Sequence, residues 1–589
     1  MAYAGAMAPN NDVNAPCIRP SGVSGTDAPA SEPPAAPASS VRTASGADWL
    51  RNAVFYEIYP QSFNDTNGDG IGDLPGITAK LDYVRSLGAT ALWINPCYDS
   101  PFKDAGYDVR DYKKVASRYG TNQDLVDLFN AAHERGIHVL LDLVPGHTSE
   151  EHPWFKASCQ ATHNEYSDRY IWTDSWVEGA PGLPFIGGEA PRNGTYVLNF
   201  FKCQPALNYG FAKQTKRWMD APDSPAAQRT RDAMVDVMLY WLELGADGFR
   251  CDMADSLVKY DADDRPCTIA AWRDMLGRVR ERFPHAVFVS EWGRPRLSLQ
   301  AGFDMDFYLD WRWDGNPNGY SMLGRDTDHP LGDGPDSSYF RATSTTGAAR
   351  FVREYLPQLE ETRTNGYFCF ITCNHDTSRL APRLTPLEEQ IAFTMYLTMP
   401  GVPFVYYGDE IGMRFRELPS KEGGYARTGS RTPMQWDGGE NRGFSDADPG
   451  QLYLPVDSAA DAPTVAAQEA DPDSQLNYLR AVIGLRHDLP ELQADGGFEV
   501  LHAVDDDRAF VYRRIAATSA EDGTSLPTDA IAPSVIVALN PGTDAVTVHL
   551  DADQPRPQGL ALLHRGGQAV YDPETRTLTL PPQSATIMR

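Results

Sequence analysis

The sequence predicts an α/β fold: a (β/α)8 TIM barrel, a small inserted domain after the third strand, and a C-terminal antiparallel β-sandwich. Three observations predict it. An amphipathic stripe, a small turn residue and a short apolar run recur along most of the chain, as a parallel sheet covered by helices requires. Carboxylates and histidines collect at the ends of the apolar runs, where a barrel of this kind places its site. Two stretches break the rhythm, one near 145–212 and one after 489. A doubly wound open sheet would normally carry a Gly-rich phosphate turn, and the sequence has none.

The elements follow in order. Residues 1–47 are rich in Ala, Pro, Ser, Gly and Thr. Such a stretch cannot bury enough apolar surface to offset its ordering entropy, so a disordered tail is expected. The first part of the barrel is assigned to 48–144. Ile77, Leu81, Val84 and Leu87 share a helical face, Gly88 ends it, and a strand follows from Ala91. Leu125, Leu128, Phe129 and Ala132 form the next stripe, ahead of Val139–Val144. The inserted domain is assigned to 145–212, dense in aromatics and Gly/Pro turns. The barrel resumes over 213–489, with helical stripes before Gly248–Asp252 and Ala286–Glu291 and a later strand at Val402–Gly408. Over 490–589, short alternating runs such as Phe510–Tyr512 and Ser534–Ala538, with turn signals such as Asn540-Pro541-Gly542, read as the sandwich.

The formal net charge of −28 repels phosphate backbones and anionic membranes, so neither nucleic acid nor membrane is an expected partner. A neutral sugar is indifferent to that field. No apolar run reaches the length of about 18 residues that a membrane helix needs, and the N-terminus has no visible secretory signal. The eight cysteines fit no zinc spacing and are expected to be mostly buried free thiols in a reducing cytoplasm.

Glycoside hydrolysis needs two carboxyl groups flanking an acetal. Asp252 closes one apolar strand, and Arg250, two residues earlier, shares its face. A guanidinium there is expected to hold the carboxylate ionised, as a nucleophile requires. Glu291 closes another strand. Trp292 beside it is the apolar neighbour that suits a general acid. Asp376 follows His375 at the end of a third. Alone, each would read as a salt bridge or a helix cap. Three at one rim read as a site.

These motifs resemble, in order, those of the α-amylase family of glycoside hydrolases (family 13), in its α-glucosidase, oligo-1,6-glucosidase and trehalose synthase branch. Asp142–His147 resembles the first conserved region, Gly248–Asp252 the second, Val289–Glu291 the third and Asn374–Asp376 the fourth. Gln204–Asn208 resembles the motif near the end of the inserted domain. The resemblance implies Asp252 as nucleophile, Glu291 as acid/base and Asp376 as transition-state stabiliser. It implies that Tyr107 and Asp108 grip the non-reducing glucose, and that His147 and His375 bond its hydroxyls. Arg431, in Arg431–Trp436, is expected to pair with Asp108 and close the pocket to all but chain ends. Three positions depart from the pattern: Gly146 replaces the usual Asn, Ala206 the usual Asp, and Met253 fits neither common residue after the nucleophile. The choice between α-1,4 and α-1,6 linkages stays open.

In Asp65-Thr66-Asn67-Gly68-Asp69-Gly70-Ile71-Gly72-Asp73, oxygen ligands alternate with glycines. That is the logic of a calcium loop, with Ile71 giving a carbonyl and no EF-hand Glu at the end. Related α-glucosidases carry a similar loop. A structural Ca²⁺, or Mg²⁺, is expected on Asp65, Asn67, Asp69, Ile71 and Asp73, with no organic cofactor. The resulting expectation is a retaining α-glucosidase acting on short α-glucosides or oligosaccharides. An α-glucosyl transferase or isomerase of the trehalose synthase type is the alternative. A non-catalytic transporter-subunit-like protein is remote, since all three carboxylates are present.

Overall fold

The structure is a computed structural model, and it describes residues 43–308, 321–324, 338–423, 427–517, 533–552 and 554–589. Eight parallel strands close into a barrel: β1 Phe55–Ile58, β2 Ala91–Ile94, β3 His138–Leu143, β4 Gly248–Cys251, β5 Val287–Ser290, β6 Met305–Phe307, β7 Tyr367–Ile371 and β8 Val402–Tyr406. Each pairs with its sequence neighbours, and β8 returns to β1. The two-residue period of a strand divides the side chains. Phe55, Trp93, Leu140, Val289, Phe307, Cys369 and Phe404 fill one core cluster. Tyr56, Leu92, Val139, Leu141, Phe249 and Phe288 join the larger cluster that also holds the helical stripes.

The first of these rows leads to the site. Counting on by twos toward the C-terminal end of each strand, Phe55 is followed by Glu57 and Leu140 by Asp142. Gly248 is followed by Arg250 and then Asp252, and Val289 by Glu291. Gly248 is required, because a Cβ there would lie 1.8 Å from the Val287 carbonyl oxygen.

Among the covering helices are α1 Asn122–His133, α2 Pro225–Leu244, α3 Pro266–Arg280, α4 Ala349–Thr362, α5 Pro386–Thr398 and α6 Gln475–Asp488. Thr121 with Asp124, and Thr385 with Glu388, form capping boxes on α1 and α5. These satisfy the amide donors that a helix start leaves orphaned. The expected stripe from Ile77 to Leu87 is two six-residue helices, Leu74–Ala79 and Leu81–Ser86, broken at Lys80. All four stripe residues are still buried.

Between β3 and α2 the chain forms a short helix at Pro153–Ser158 and a hairpin of Phe185–Gly187 with Thr195–Val197. A core of Ile171, Ala180, Val197, Ala206, Phe211 and Met219 packs there. After α6 come two antiparallel sheets. The first is built from β9 Gly497–Ala503, β10 Phe510–Ile515, β11 Ser534–Asn540, β13 Ala561–Arg565 and β16 Ser584–Met588, in the order β9-β10-β11-β16-β13. The second holds β12 Val546–His549, β15 Thr577–Leu580 and β14 Val570–Asp572. Val511, Ile536, Ala538 and Met588 pack on Val548, Leu578 and Leu580 of the second sheet. The alternate residues Phe510, Tyr512, Val537, Leu539 and Ile587 pack on Phe368, Ile391 and Met395 of the barrel.

The expected tail lies almost wholly outside the described residues, with one correction at its end. Ser45 and Ala47 are buried, and the Ser45 amide donates to Asp304 Oδ1 at 2.6 Å. Among the described residues, no helix is long and apolar enough to cross a membrane.

Candidate active site

Arg250 is the hub. It is 1% exposed and lies 4.9 Å from the Trp93 ring centroid. Its Nη1 donates to Asp142 Oδ1 at 2.8 Å and to Asp252 Oδ1 at 3.0 Å, and its Nη2 lies 2.9 Å from Glu291 Oε2. One guanidinium therefore serves three carboxyl groups. Asp142 also accepts from Trp93 Nε1 at 3.0 Å and the Tyr107 hydroxyl at 2.9 Å.

The loops at the strand ends lock Asp252 and Glu291 together. The Asp252 amide donates to the Leu143 carbonyl and the Glu291 amide to the Cys251 carbonyl. Met253, in the left-handed region at φ 42, turns its amide onto Glu291 Oε2 at 3.0 Å. The sequence expectation was that Arg250 holds Asp252 ionised. The contact is present, but burial raises the Asp252 carboxyl well above its usual range. Arg250 opposes that rise, and Glu291 and Asp142 add to it. One cation cannot neutralise three acids.

Asp376 sits in the opposite field. Burial alone would raise its proton affinity, but Arg427, His375 and Arg431 together hold its carboxyl well below the carboxylate range. Its Oδ1 accepts from Arg427 Nη1 at 2.6 Å and Arg431 Nη2 at 2.7 Å, and its Oδ2 lies 3.2 Å from His375 Nε2.

Tyr107 stacks on His375, with 5.3 Å between centroids, and its hydroxyl lies 2.8 Å from His375 Nε2. His147 has both ring nitrogens engaged: Asn199 Nδ2 at 3.2 Å from Nδ1, and the Tyr107 carbonyl at 3.2 Å from Nε2. Burial pushes it down to about 3, so it is a neutral imidazole.

The expected pairing of Asp108 with Arg431 is corrected. Asp108 does not meet Arg431. Its carboxylate is fully buried and accepts from the Ser100 hydroxyl and from the Lys103 and Asp104 amides, each at 3.0 Å. Arg431 instead donates to Asp376, to Glu422 Oε2 at 2.7 Å and to the His375 carbonyl at 2.8 Å. The carboxylate that meets an arginine from this loop is Asp104, which bonds Arg427 Nη2 and Gln204 Nε2. Asp104 and Arg427 were missed. Both are charged side chains within four residues of the ones chosen, and spacing alone gave no reason to prefer them.

The departures have local consequences. A Cβ on Gly146 would lie 2.7 Å from Asn199 Nδ2. The Lys259 ammonium donates to Asn199 Oδ1 at 2.8 Å and to the Ser256 carbonyl at 2.7 Å, tying the inserted stretch to the barrel. Ala206 is buried in the small core beside Val197 and Phe211.

The acidic loop wraps its own amides. Asp65 accepts from the Asn67, Gly68 and Gly70 amides and the Ser445 hydroxyl. Asn67 and Asp69 accept from the amides two residues on, and Asp73 caps the helix that follows. Among the described residues no group of three or more His, Cys, Asp or Glu side chains is gathered for a metal ion.

Carboxyl groups paired at the C-terminal rim of a (β/α)8 barrel suit glycoside hydrolysis. The family described as "Alpha amylase, catalytic domain" matches residues 57–495, and the chain belongs to this family of glycoside hydrolases, family 13. An oligo-1,6-glucosidase of Heyndrickxia coagulans is 32% identical over 524 residues, 79% of this chain and 90% of that protein. A trehalose synthase/amylase of Mycolicibacterium smegmatis is 34% identical over 74% of this chain and 76% of its own length. A solved structure of the trehalulose synthase MutB aligns with TM-score 0.72 at 25% identity, covering 92% of this chain and 100% of that one.

Proposed function

We propose that the protein is a retaining α-glucosidase that removes glucose from the non-reducing ends of short α-glucosides. The observation that carries this reading is the pairing of Asp252 and Glu291 on the two terminal nitrogens of Arg250. Beside it, Asp104, Arg427, Asp376 and Arg431 form a continuous row of ion pairs. Such a network suits a blind pocket that admits a chain end and not a chain middle.

The chemistry is double displacement. Glu291 carries a proton to the leaving oxygen while ionised Asp252 attacks the anomeric carbon, giving a β-glucosyl-enzyme. Glu291 then takes a proton from water as the water oxygen attacks the anomeric carbon, the bond to Asp252 breaks to restore its carboxylate, and glucose leaves with its α configuration retained. Burial, Glu291 and Asp142 raise Asp252 against the pull of Arg250, so the ionised nucleophile is favoured as pH rises. Asp376, anchored by two arginines, stays ionised and faces the positive charge that develops in the transition state. Asp104 and Arg427 take the glucose-gripping role first assigned to Asp108.

Transfer or isomerisation of the trehalose synthase type uses the same residues and differs in what accepts the glucosyl group. The relatives of that name support it as a second reading. Turnover of maltose, isomaltose, sucrose and trehalose separates the two. Free glucose as the main product supports hydrolysis, and a new disaccharide with little glucose supports transfer.

The loop from Asp65 to Asp73 is proposed to hold a structural Ca²⁺, or Mg²⁺. Its support is the alternating order of oxygen-bearing residues and glycines in the loop. Bound there, the ion would stiffen the segment between β1 and the first helices. The described cysteines are free thiols, which fits a reducing cytoplasm.

A further inference from the structure

Glu57 is a buried carboxyl group that the proposed reaction leaves without a task. It lies on β1, is 1% exposed, and ends the inward row that begins at Phe55. Its Oε1 lies 2.8 Å from His375 Nδ1 and accepts from Asn95 Nδ2 at 3.1 Å. Its Oε2 and Asn95 Oδ1 are buried with no hydrogen-bond partner. A buried acid at such cost calls for a compensating interaction.

The proton positions around His375 follow from its partners. The Tyr107 hydroxyl donates its one hydrogen to Asp142 Oδ2, so it must accept from His375 Nε2, which therefore carries hydrogen. Asp376 Oδ2 faces that same nitrogen at 3.2 Å. Glu57 Oε1 and Asn95 Nδ2 face the other nitrogen at 2.8 and 3.1 Å; Asn95 Nδ2 also donates to Glu57 Oε1, so the shorter contact from Nδ1 to the carboxylate is the one that Nδ1–H fills. An imidazole between two carboxylates satisfies both only when both nitrogens are protonated. We propose that Glu57 is a positioning residue that keeps His375 a cationic imidazolium, with its Nε2–H held between the Tyr107 hydroxyl and Asp376 Oδ2.

The groups that face His375 are Glu57 from β1, Trp93 and Asn95 from β2 and its end, and Tyr107 and Asp142 on the side of β3. Asp376 lies beside it in its own loop, and Arg431 holds its carbonyl. Burial alone would lower the imidazole, but Asp376 and Glu57 override it and hold it up at about 9. Asp376 is the larger influence and Glu57 adds to it, so loss of Glu57 should lower the pH at which the cation is lost. The link to catalysis is indirect. A neutral ring still donates one hydrogen bond, but it no longer offsets the negative charge of Asp376 or fixes which nitrogen carries the hydrogen.

The inference rests on the proposed reading of the site, and the test separates the two. The first measurement is ¹⁵N NMR of histidine-labelled full-length wild-type protein at pH 7, with the His375 signal assigned by its loss in His375→Gln. Two protonated ring nitrogens are expected, and a neutral tautomer would overturn the proposal whatever the enzyme's substrate. The second is the pH profile of kcat/KM for Glu57→Gln, which keeps size and a hydrogen-bond acceptor but removes the charge. The wild type should be flat through neutrality as far as His375 is concerned. The variant should show a basic limb at lower pH than the wild type, falling about tenfold per pH unit above it. A folded Glu57→Gln whose profile superimposes on the wild type would reduce Glu57 to packing and refute the inference.

Discussion

Replacing Arg250 by Met keeps an unbranched side chain of similar length and removes the one cation that three buried carboxyl groups share. Arg250 reaches Asp142 at 2.8 Å, Asp252 at 3.0 Å and Glu291 at 2.9 Å. Deleting one partner of a buried pair costs about 3–5 kcal/mol, because the other charge is left uncompensated. Here the loss is limited by protonation, since the stranded carboxyl groups can take up protons and become neutral. Burial already raises Asp142 and Asp252, with Arg250 opposing, so without Arg250 both rise further. A group whose folded pKa lies above its unfolded value contributes stability that is complete below the unfolded pKa and is lost as pH rises through the folded one. The penalty of the variant must therefore grow with pH. Each further unit of rise adds about 1.4 kcal/mol per group. Melting temperatures of wild type and Arg250→Met at pH 5.0 and 7.5 provide the assay. The gap should be several degrees wider at pH 7.5. A gap that is the same at both pH values, or wider at pH 5.0, would refute the reasoning.

Other predictions concern the pocket, the loop and the sheet interface. Asp104→Asn removes one of the carboxylates that hold Arg427 and should raise KM, with kcat/KM falling about a hundredfold, while Asp108→Asn should act mainly on stability; the reverse ranking in steady-state kinetics would restore Asp108 as the gripping residue. The acid limb of kcat/KM should lie above that of an ordinary carboxylate, because Asp252 must be ionised and its proton affinity is raised by burial, and activity should be lost as pH falls through it. Adding Ca²⁺ at about a hundred times its dissociation constant should stabilise the chelated protein by about 2.7 kcal/mol, read as a rise in melting temperature that Asp65→Ala abolishes. Leu539→Ala, on the face of β11 that packs against the barrel, should cost about 2–5 kcal/mol in thermal or chemical denaturation.

The barrel was legible because its chemistry is periodic. Helical stripes closed by glycine and continuous apolar runs mark a covered parallel strand, and β2, β3, β4, β5 and β8 follow the expected segments. The strands less visible in sequence were β1 and β6. Phe55–Ile58 follows no amphipathic helix, and Met305–Phe307 is three residues long with Asp306 at its centre. The acids stood out because three of them close apolar strands at one barrel rim, where any one alone would read as a salt bridge or a helix cap.

Side-chain direction within loops was not legible. Asp104 and Asp108 flank the same turn, at Gly106 with φ 102. The Ser100 hydroxyl and two amides capture Asp108, leaving Asp104 for Arg427, and no residue count distinguishes them. Likewise the sequence identified Arg250 beside Asp252 but not that Asp142 and Glu291 would share it, so the net effect on Asp252 came out with the opposite sign. Glu57 in Phe55-Tyr56-Glu57-Ile58 reads as an ordinary polar position until β7 brings His375 against it.

The central claim is retention through Asp252, and ¹H NMR of the first turnovers tests it most directly. With maltose, isomaltose, sucrose and trehalose as substrates, the account predicts that glucose appears first as the α-anomer and only later mutarotates, and that Asp252→Asn is inactive. Initial release of the β-anomer, or full activity in Asp252→Asn, would contradict it.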